Sequence, residues 1–215
     1  MEVEVTHLLA GKSRPFRGEE MSAIAKLPLT GPQHITELGL EADEQADTKV
    51  HGGPHMAVHL YPLDHNDFWR GEIGDHPLLN DAGAFGSNLA VSGLTEDAVH
   101  IGDRFRLGSA LLEISQPRQP CWKIEHRFRQ KNMVATILKS GRCGWYFRVI
   151  EAGTAEAGDA LRRVVTGCSD WTVERAFSAI WGNPNAFGDS DIEQLADLKT
   201  LTPKLREKMA ARIAH

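Results

Sequence analysis

The chain is expected to be a mixed α and β protein in which strands dominate, followed by a small helical unit. Two observations carry this. Seven short extended runs bounded by Gly, Pro, Asp and Asn fill about the first 165 residues, and the apolar period of the last 45 or so changes to that of a helix. The strands expected are Val3 to Leu8, Met56 to Tyr61, Asn88 to Ser92, Asp103 to Leu107, Leu111 to Ser115, Trp145 to Ile150 and Ala160 to Val165. Short strands at this spacing favour a barrel or a sandwich. Two of them follow Gly-Asp steps, Gly102-Asp103 and Gly158-Asp159, as strands entered from tight turns do. Helical patterns at Leu63 to Arg70, Trp122 to Arg129 and Met133 to Lys139 interrupt the strands.

The period changes near Thr166 to Ser169, so two units are expected, residues 1–166 and residues 167–215. In the second, Val173, Ala176, Phe177, Ile180 and Trp181 form one apolar stripe that Gly182-Asn183-Pro184 stops. Ser190 with Glu193 reads as a capping box for a second helix. Thr202-Pro203 reads as the cap and first position of a third, whose Leu205, Met209 and Ile213 share a face. A unit this short, with no metal or disulfide pattern of its own, needs something to pack on, either the first unit or another subunit.

Composition narrows the function. Of 215 residues, 41% are hydrophobic and 25% charged, the net charge is −5, and Lys and Arg nowhere cluster into a track for a phosphate backbone. A nucleic-acid polymer is therefore not the expected partner. Stretches free of Asp, Glu, Lys and Arg, such as Ala82 to Thr95, are too short and polar to span a bilayer. The start, Met1-Glu2-Val3-Glu4-Val5, is acidic and alternating, unlike a secretory leader, so a cytoplasmic protein without a membrane partner is expected. Cys121, Cys143 and Cys168 include no Cys-x-x-Cys pair, which agrees with a reducing compartment.

The segment Gln116-Pro117-Arg118-Gln119-Pro120-Cys121-Trp122-Lys123-Ile124 carries the chemistry. Each proline drives the residue before it toward extended geometry, so the segment is a stiff bend that holds Cys121 in one place. Ile124 and Phe128, four apart, start a helix that puts Cys121 in its first turn. Amide groups there, with Arg118 and Lys123 beside them, favour the thiolate as a nucleophile or metal ligand. The plain alternative is a small buried hydrophobe. Cys168 lacks the proline frame and reads as structural; Cys143, in Gly141-Arg142-Cys143-Gly144-Trp145, is left open.

Lys49-Val50-His51-Gly52-Gly53-Pro54 is the second informative segment. Paired glycines let the backbone approach an anion closely, with Lys49 and His51 at its side, although Gly-Gly-Pro is equally an ordinary tight turn. His51, His55 and His59 recur every fourth residue, a spacing that metal sites use, but the Gly-Gly-Pro between the first two breaks the regular geometry. In Phe85-Gly86-Ser87-Asn88-Leu89, Asn88 either closes a turn, the commoner role, or bonds a ligand. No Gly-x-Ser-x-Gly, Gly-x-Gly-x-x-Gly or P-loop is present, which argues against a serine hydrolase of that type, a dinucleotide fold and an NTPase.

Taken together, Lys49 to Pro54 with Ala57-Val58-His59-Leu60-Tyr61, then Phe85 to Leu89, then Gln116 to Cys121, resemble the MOSC family, named for the C-terminal domain of molybdenum-cofactor sulfurases. Gly141 to Tyr146 and the three-helix tail resemble the YiiM-like subgroup, in which a short "3-alpha" unit follows the MOSC barrel. The resemblance implies an α+β, β-dominated MOSC barrel with peripheral helices over residues 1–166 and the helical unit over 167–215. It implies a molybdenum cofactor, Mo-molybdopterin, with Cys121 as metal ligand and catalytic residue, and Lys49, His51, Asn88, Arg118 and Lys123 on the cofactor side. The activity implied is reduction of small N-hydroxylated compounds, such as hydroxylamino purines, to amines, with electrons from a separate flavoprotein reductase and no flavin or haem in the chain itself. A homodimer fits this picture as well as a monomer. The alternative is a carrier of the cofactor, or of persulfide sulfur, without turnover; a thiol hydrolase using His126 or His51 as base is a third reading. Two departures bear on the substrate: Gly86-Ser87-Asn88 stands where the family usually has Gly-Glu-Asn, and His55-Met56 where an acidic then a basic residue is common.

Overall fold

The computed structural model describes residues 1–46 and 52–213. Among the described residues thirteen strands are formed: β1 (Glu2–Ala10), β2 (Arg14–Arg17), β3 (Glu20–Ser22), β4 (Leu27–Pro28), β5 (Gln33–Thr36), β6 (Gly39–Leu40), β7 (Val58–Pro62), β8 (Leu89–Val91), β9 (Arg104–Leu107), β10 (Ala110–Pro117), β11 (Trp145–Glu151), β12 (Gly153–Ala155) and β13 (Ala160–Val165). The helices are α1 (His65–Ile73), α2 (Lys123–Phe128), α3 (Met133–Ser140), α4 (Val173–Phe177), α5 (Asp189–Asp197) and α6 (Pro203–Ile213).

Seven strands close a barrel in the order β1-β13-β9-β10-β11-β7-β8 and back to β1. Closure comes from β1 pairing β13 on one edge, with Val3 opposite Leu161, and β8 on the other, with Leu8 opposite Leu89. Full closure leaves these strands no free edge, which is how a sheet of short strands escapes edge-to-edge aggregation. Each of the seven corresponds to a strand expected from the sequence. The others, β2 to β6 and β12, are short and lie outside the ring in small pairings, where alternation over two to four residues carries no periodic signal.

All neighbours in the ring are antiparallel except β7 and β8, which run parallel with Leu60 opposite Leu89. A tight turn cannot join parallel strands, and α1 supplies the crossover. The barrel interior is filled by Val5, Leu60, Leu89, Phe105, Leu112, Ile114 and Phe147, all fully buried. Strand β10 is buried at every position, so it reads Ala-Leu-Leu-Glu-Ile-Ser-Gln-Pro rather than alternating. Helix α4 covers it, and buried Glu113 is held by Arg104 at 2.7 Å and Arg148 at 3.3 Å.

The tail is docked on the barrel. Its buried Trp171, Val173, Phe177, Leu195 and Leu205 belong to the same apolar cluster as the barrel residues. The main chain crosses the seam at Ile101 N to Trp171 O (2.9 Å), Val173 N to Val99 O (2.9 Å) and Thr202 N to Ser115 O (3.2 Å). Asp103 does more than turn the chain. Its fully buried carboxylate accepts the Gly167 N–H at 2.7 Å, the His100 N–H at 3.0 Å and Arg163 Nη1 at 3.1 Å, tying the start of the tail to two barrel elements.

Within the tail, the first apolar stripe is α4 continued by a wider turn over Ser178–Gly182. The second helix starts at Asp189 after Gly188, so Ser190 lies inside it and makes no cap. Asp191 is the residue whose carboxylate reaches back to the Gly188 N–H, at 3.3 Å, and it also pairs Arg175 at 2.7 Å. A charged partner across the tail has thereby chosen the helix start over the Ser-x-x-Glu pattern. Pro203 opens α6 as expected, but the Thr202 hydroxyl has no partner among the described residues. Among the described residues no helix is long and apolar enough to cross a membrane.

Asp103→Ala removes the tie at the start of the tail and leaves the partly buried Arg163 without its carboxylate. Urea unfolding should show a loss of roughly 3 kcal/mol; an unchanged midpoint would mean that the tail is held elsewhere.

Candidate functional site

A cavity opens where the end of β10 meets β7, β8 and the chain leaving β3. It encloses about 650 Å³ counting its open mouth, and Ser22, Lys26, Asp43, Glu44, Gln45, His59, Asn88, Arg118, Cys121, Lys123 and Tyr146 give it its polar lining. Ala23, Ile24, Met56, Ala57 and Phe85 make an apolar wall.

Cys121 lies in the strap between β10 and α2, half-buried and facing this cavity. The proline frame acts as expected. Pro117 ends β10 opposite Trp145, Pro120 is buried, and the Arg118 N–H is fastened to Gly144 O at 3.0 Å. The helix begins later than the sequence suggested: α2 starts at Lys123 and has six residues, so Cys121 stands ahead of it rather than in its first turn. The reason is local. Only the Ile124 N–H reaches back to Cys121 O, at 3.1 Å, and the four-residue bonding begins with His126 to Trp122. Ile124 and Phe128 are both fully buried on one face, which is what their spacing asks for.

Arg118 and Lys123 are brought together with Cys121 around the cavity. Arg118 is 6% exposed, and its Nη1 is buried with no partner among the described residues. Lys123 is 8% exposed and donates to Met21 O at 3.2 Å. The hairpin of β2 and β3 lies over α2, with the Arg17 guanidinium 3.7 Å from the centre of the Trp122 ring and Phe16 packed on His126. His126 Nε2 is 3.0 Å from Phe16 O, which only accepts, so that nitrogen carries a proton and is no base.

Asn88 is placed at the cavity, but its amide is engaged within the protein. Oδ1 accepts the His59 N–H at 3.0 Å, while Nδ2 donates to Leu9 O at 3.2 Å and to Asp43 Oδ2 at 2.8 Å. It acts as a brace between β1, β7 and the loop of Asp43. Lys49 and His51, with the first half of their Gly-Gly-Pro segment, lie outside the described residues.

Sequence reasoning gave no site role to four members of this site. Lys26 and Asp43 form a buried ion pair in the wall. Desolvation lowers the lysine's pKa from its ordinary value, against the opposing pull of Asp43. His59, read only as part of a histidine series, is buried: its Nδ1 is 3.2 Å from Gly86 O, and its Nε2 is without a partner among the described residues. Since Gly86 O accepts, Nδ1 carries the proton and Nε2 keeps its lone pair. Burial, then the charge of Arg118, drives the pKa of His59 well below 6.5. Tyr146 packs against His59, the rings tilted by 35° with centres 5.0 Å apart. Its hydroxyl pKa is raised by burial, with Cys121 and Asp43 adding to the rise and Arg118 opposing it. His59 and Tyr146 stand in segments that carry the family resemblance but had no site role there, and no motif marks Lys26 and Asp43; position in space unites the four.

Other expectations resolve differently. Cys143 is fully buried, its thiol pushed well up in pKa by burial and by Glu96, which makes it structural. Arg142 turns away, its guanidinium 4.1 Å from the centre of the Phe68 ring. Ser87 is fully buried and bonds Ala82 O at 3.3 Å, so the missing carboxylate leaves no gap in the cavity wall; Met56 does line the cavity. Among the described residues no group of three or more His, Cys, Asp or Glu side chains is placed to hold a metal ion.

The donor set suits an anionic, thiophilic group. Lys26 is matched by Asp43 and Glu44 by Lys12, which leaves Arg118 and Lys123 without a carboxylate within ion-pair distance among the described residues. A buried guanidinium nitrogen with no acceptor is the kind of atom a phosphate satisfies, and a thiol is the ligand a soft metal prefers.

Residues 47–162 match the MOSC domain. The chain is 40% identical over 202 residues to protein YiiM of Escherichia coli (strain K12), covering 94% of this chain and 89% of that one. The crystal structure of YiiM from Geobacillus stearothermophilus superposes with a TM-score of 0.82 at 27% identity, covering 98% of this chain and 99% of the other. A protein of Gibberella moniliformis (strain M3125 / FGSC 7600) named "Reductase" is 38% identical over 163 residues, 75% of this chain but 29% of that longer protein.

Burying a neutral His59 ties stability to pH. Its folded pKa is depressed, so the unfolded chain binds the extra proton first, and the stability His59 confers is lost as pH falls below 6.5. Thermal unfolding between about pH 7 and 5 should therefore show a steeper acid loss in the native protein than in His59→Phe; parallel curves would mean that His59 takes up its proton as readily in the folded protein as in the unfolded chain.

Proposed function

The chain belongs to the MOSC domain family, and we propose that it is a molybdenum-cofactor-dependent reductase that converts small N-hydroxylated compounds, hydroxylamino purines among them, to amines. The observation that carries this reading is Arg118 Nη1, buried and unpartnered among the described residues, in the same cavity as Cys121. When bound, the cofactor supplies two-electron oxygen-atom chemistry. Cys121 Sγ is the proposed molybdenum ligand. Arg118 and Lys123, with Lys49 and His51, are the proposed contacts to the phosphate and pterin side. Asn88 holds the wall rather than the ligand, through the bonds described above.

The overall change is R–NHOH + 2 e⁻ + 2 H⁺ → R–NH₂ + H₂O. The chain has no flavin or haem motif, so the electrons come from a separate flavoprotein reductase in this reading. The similarity to one part of a longer fungal protein named reductase supports an electron-transfer setting. The apolar lining of Ala23, Ile24, Met56 and Phe85 suits the planar body of a small base, and Lys26, a buried cation in the same cavity, suits the polar end.

Molybdenum analysis of the purified protein and turnover of a hydroxylamino purine with an artificial reductant test the reading. Molybdenum and turnover are both expected, and Cys121→Ser should lose the metal and with it at least about 100-fold of the rate. Metal without turnover under any donor would make the protein a carrier. Metal retained in Cys121→Ser with activity gone would assign Cys121 to thiol chemistry instead.

A further inference from the structure

Glu96 follows β8 and is outside the cavity lining, yet its buried carboxylate holds the turn on which the cavity's cationic strap rests. Oε1 accepts two consecutive backbone N–H groups, those of Cys143 at 3.0 Å and Gly144 at 2.7 Å. Oε2 stands 2.8 Å from Nε2 of His65, the first residue of α1. The turn passes this anchorage on directly, because Gly144 O accepts the Arg118 N–H and the Cys143 thiol, each at 3.0 Å.

Neither end of this arrangement has room to shift. Gly144 has φ +68°, and a Cβ there would stand 2.3 Å from Leu60 O, so the turn is pressed against β7. The main chain of Glu96 is held from the other side, where its carbonyl accepts the Glu174 N–H of α4 at 3.1 Å. Two buried amide donors from adjacent residues need an acceptor between them, and a longer or shorter side chain at 96 would not reach both.

We propose that Glu96 is a positioning residue of the site, which sets where Arg118 and the strap to Cys121 stand by clamping the 143–144 turn. The proposal rests on the reading of Arg118 and Cys121 as the cofactor side for its consequence, and on the contacts above for its geometry.

Full-length Glu96→Ala and Glu96→Gln, with native protein alongside, test it by amide hydrogen exchange and by molybdenum content. Glutamine keeps an oxygen that accepts both N–H groups, and alanine keeps none. Exchange at Gly144 and Arg118 should quicken by roughly tenfold or more in Glu96→Ala relative to Phe105 in the barrel, return toward native in Glu96→Gln, and bring a matching fall in retained molybdenum only in the alanine variant. Should the alanine variant not fold, Glu96→Asp, one methylene short, should show the same pattern to a smaller degree. Exchange at Arg118 unchanged in a folded alanine or aspartate variant, or glutamine as fast as alanine, would overturn the proposal. A native protein that takes up no molybdenum would count against the proposed function, while the exchange result would still decide the role of Glu96.

Discussion

One carboxylate, that of Asp43, joins the segments that make the cavity. Its Oδ1 accepts the Gly11 N–H at 2.7 Å at the end of β1, and its Oδ2 meets Lys26 Nζ and, at 2.8 Å, Asn88 Nδ2. Through Asn88 the tie continues to Leu9 O and to the His59 N–H on β7. A carboxylate taken out of water is tolerable only with this many donors, and once satisfied it holds those donors in a single arrangement. The cavity wall is in this sense built around a charge pair rather than around an apolar plug.

The barrel gives that pair its place. Strands β7 and β8 run parallel, so their C-terminal ends point the same way and α1 must cross between them. His65 comes from that crossover and Glu96 from the loop after β8, and the two meet under the turn that precedes β11. Strand β10 ends beside β11, and the strap from Arg118 to Cys121 leaves at that point. The thiol and the guanidinium thus arrive from the strap after β10 and the buried imidazole from β7, segments about sixty residues apart in sequence that barrel closure makes neighbours.

Much of this is legible in the sequence. The seven ring strands announce themselves because each is long enough to show a run of apolar or alternating residues between turn formers, and the strap announces itself because two prolines and two cations frame one cysteine. Less was legible where a distant partner decides. Ser190 and Glu193 have the spacing of a capping box, but Asp191, drawn by Arg175, takes the helix start. Asn88 looked like a ligand contact or a turn residue, and became a brace once β1 and Asp43 supplied its acceptors.

By itself the sequence determined that a strand-rich fold, a barrel or a sandwich, with a helical tail would form, and that Cys121 would sit on a stiff, cation-flanked bend, because periodicity, turn chemistry and proline geometry act over a few residues at a time. Only the tertiary structure decided that Lys26 and Asp43 would be buried as a pair, that His59 would be buried with its pKa driven well down, and that Glu96 would grip the turn behind Arg118. Those outcomes depend on desolvation and on hydrogen bonds between residues far apart in the chain, and neither exists until the barrel has closed.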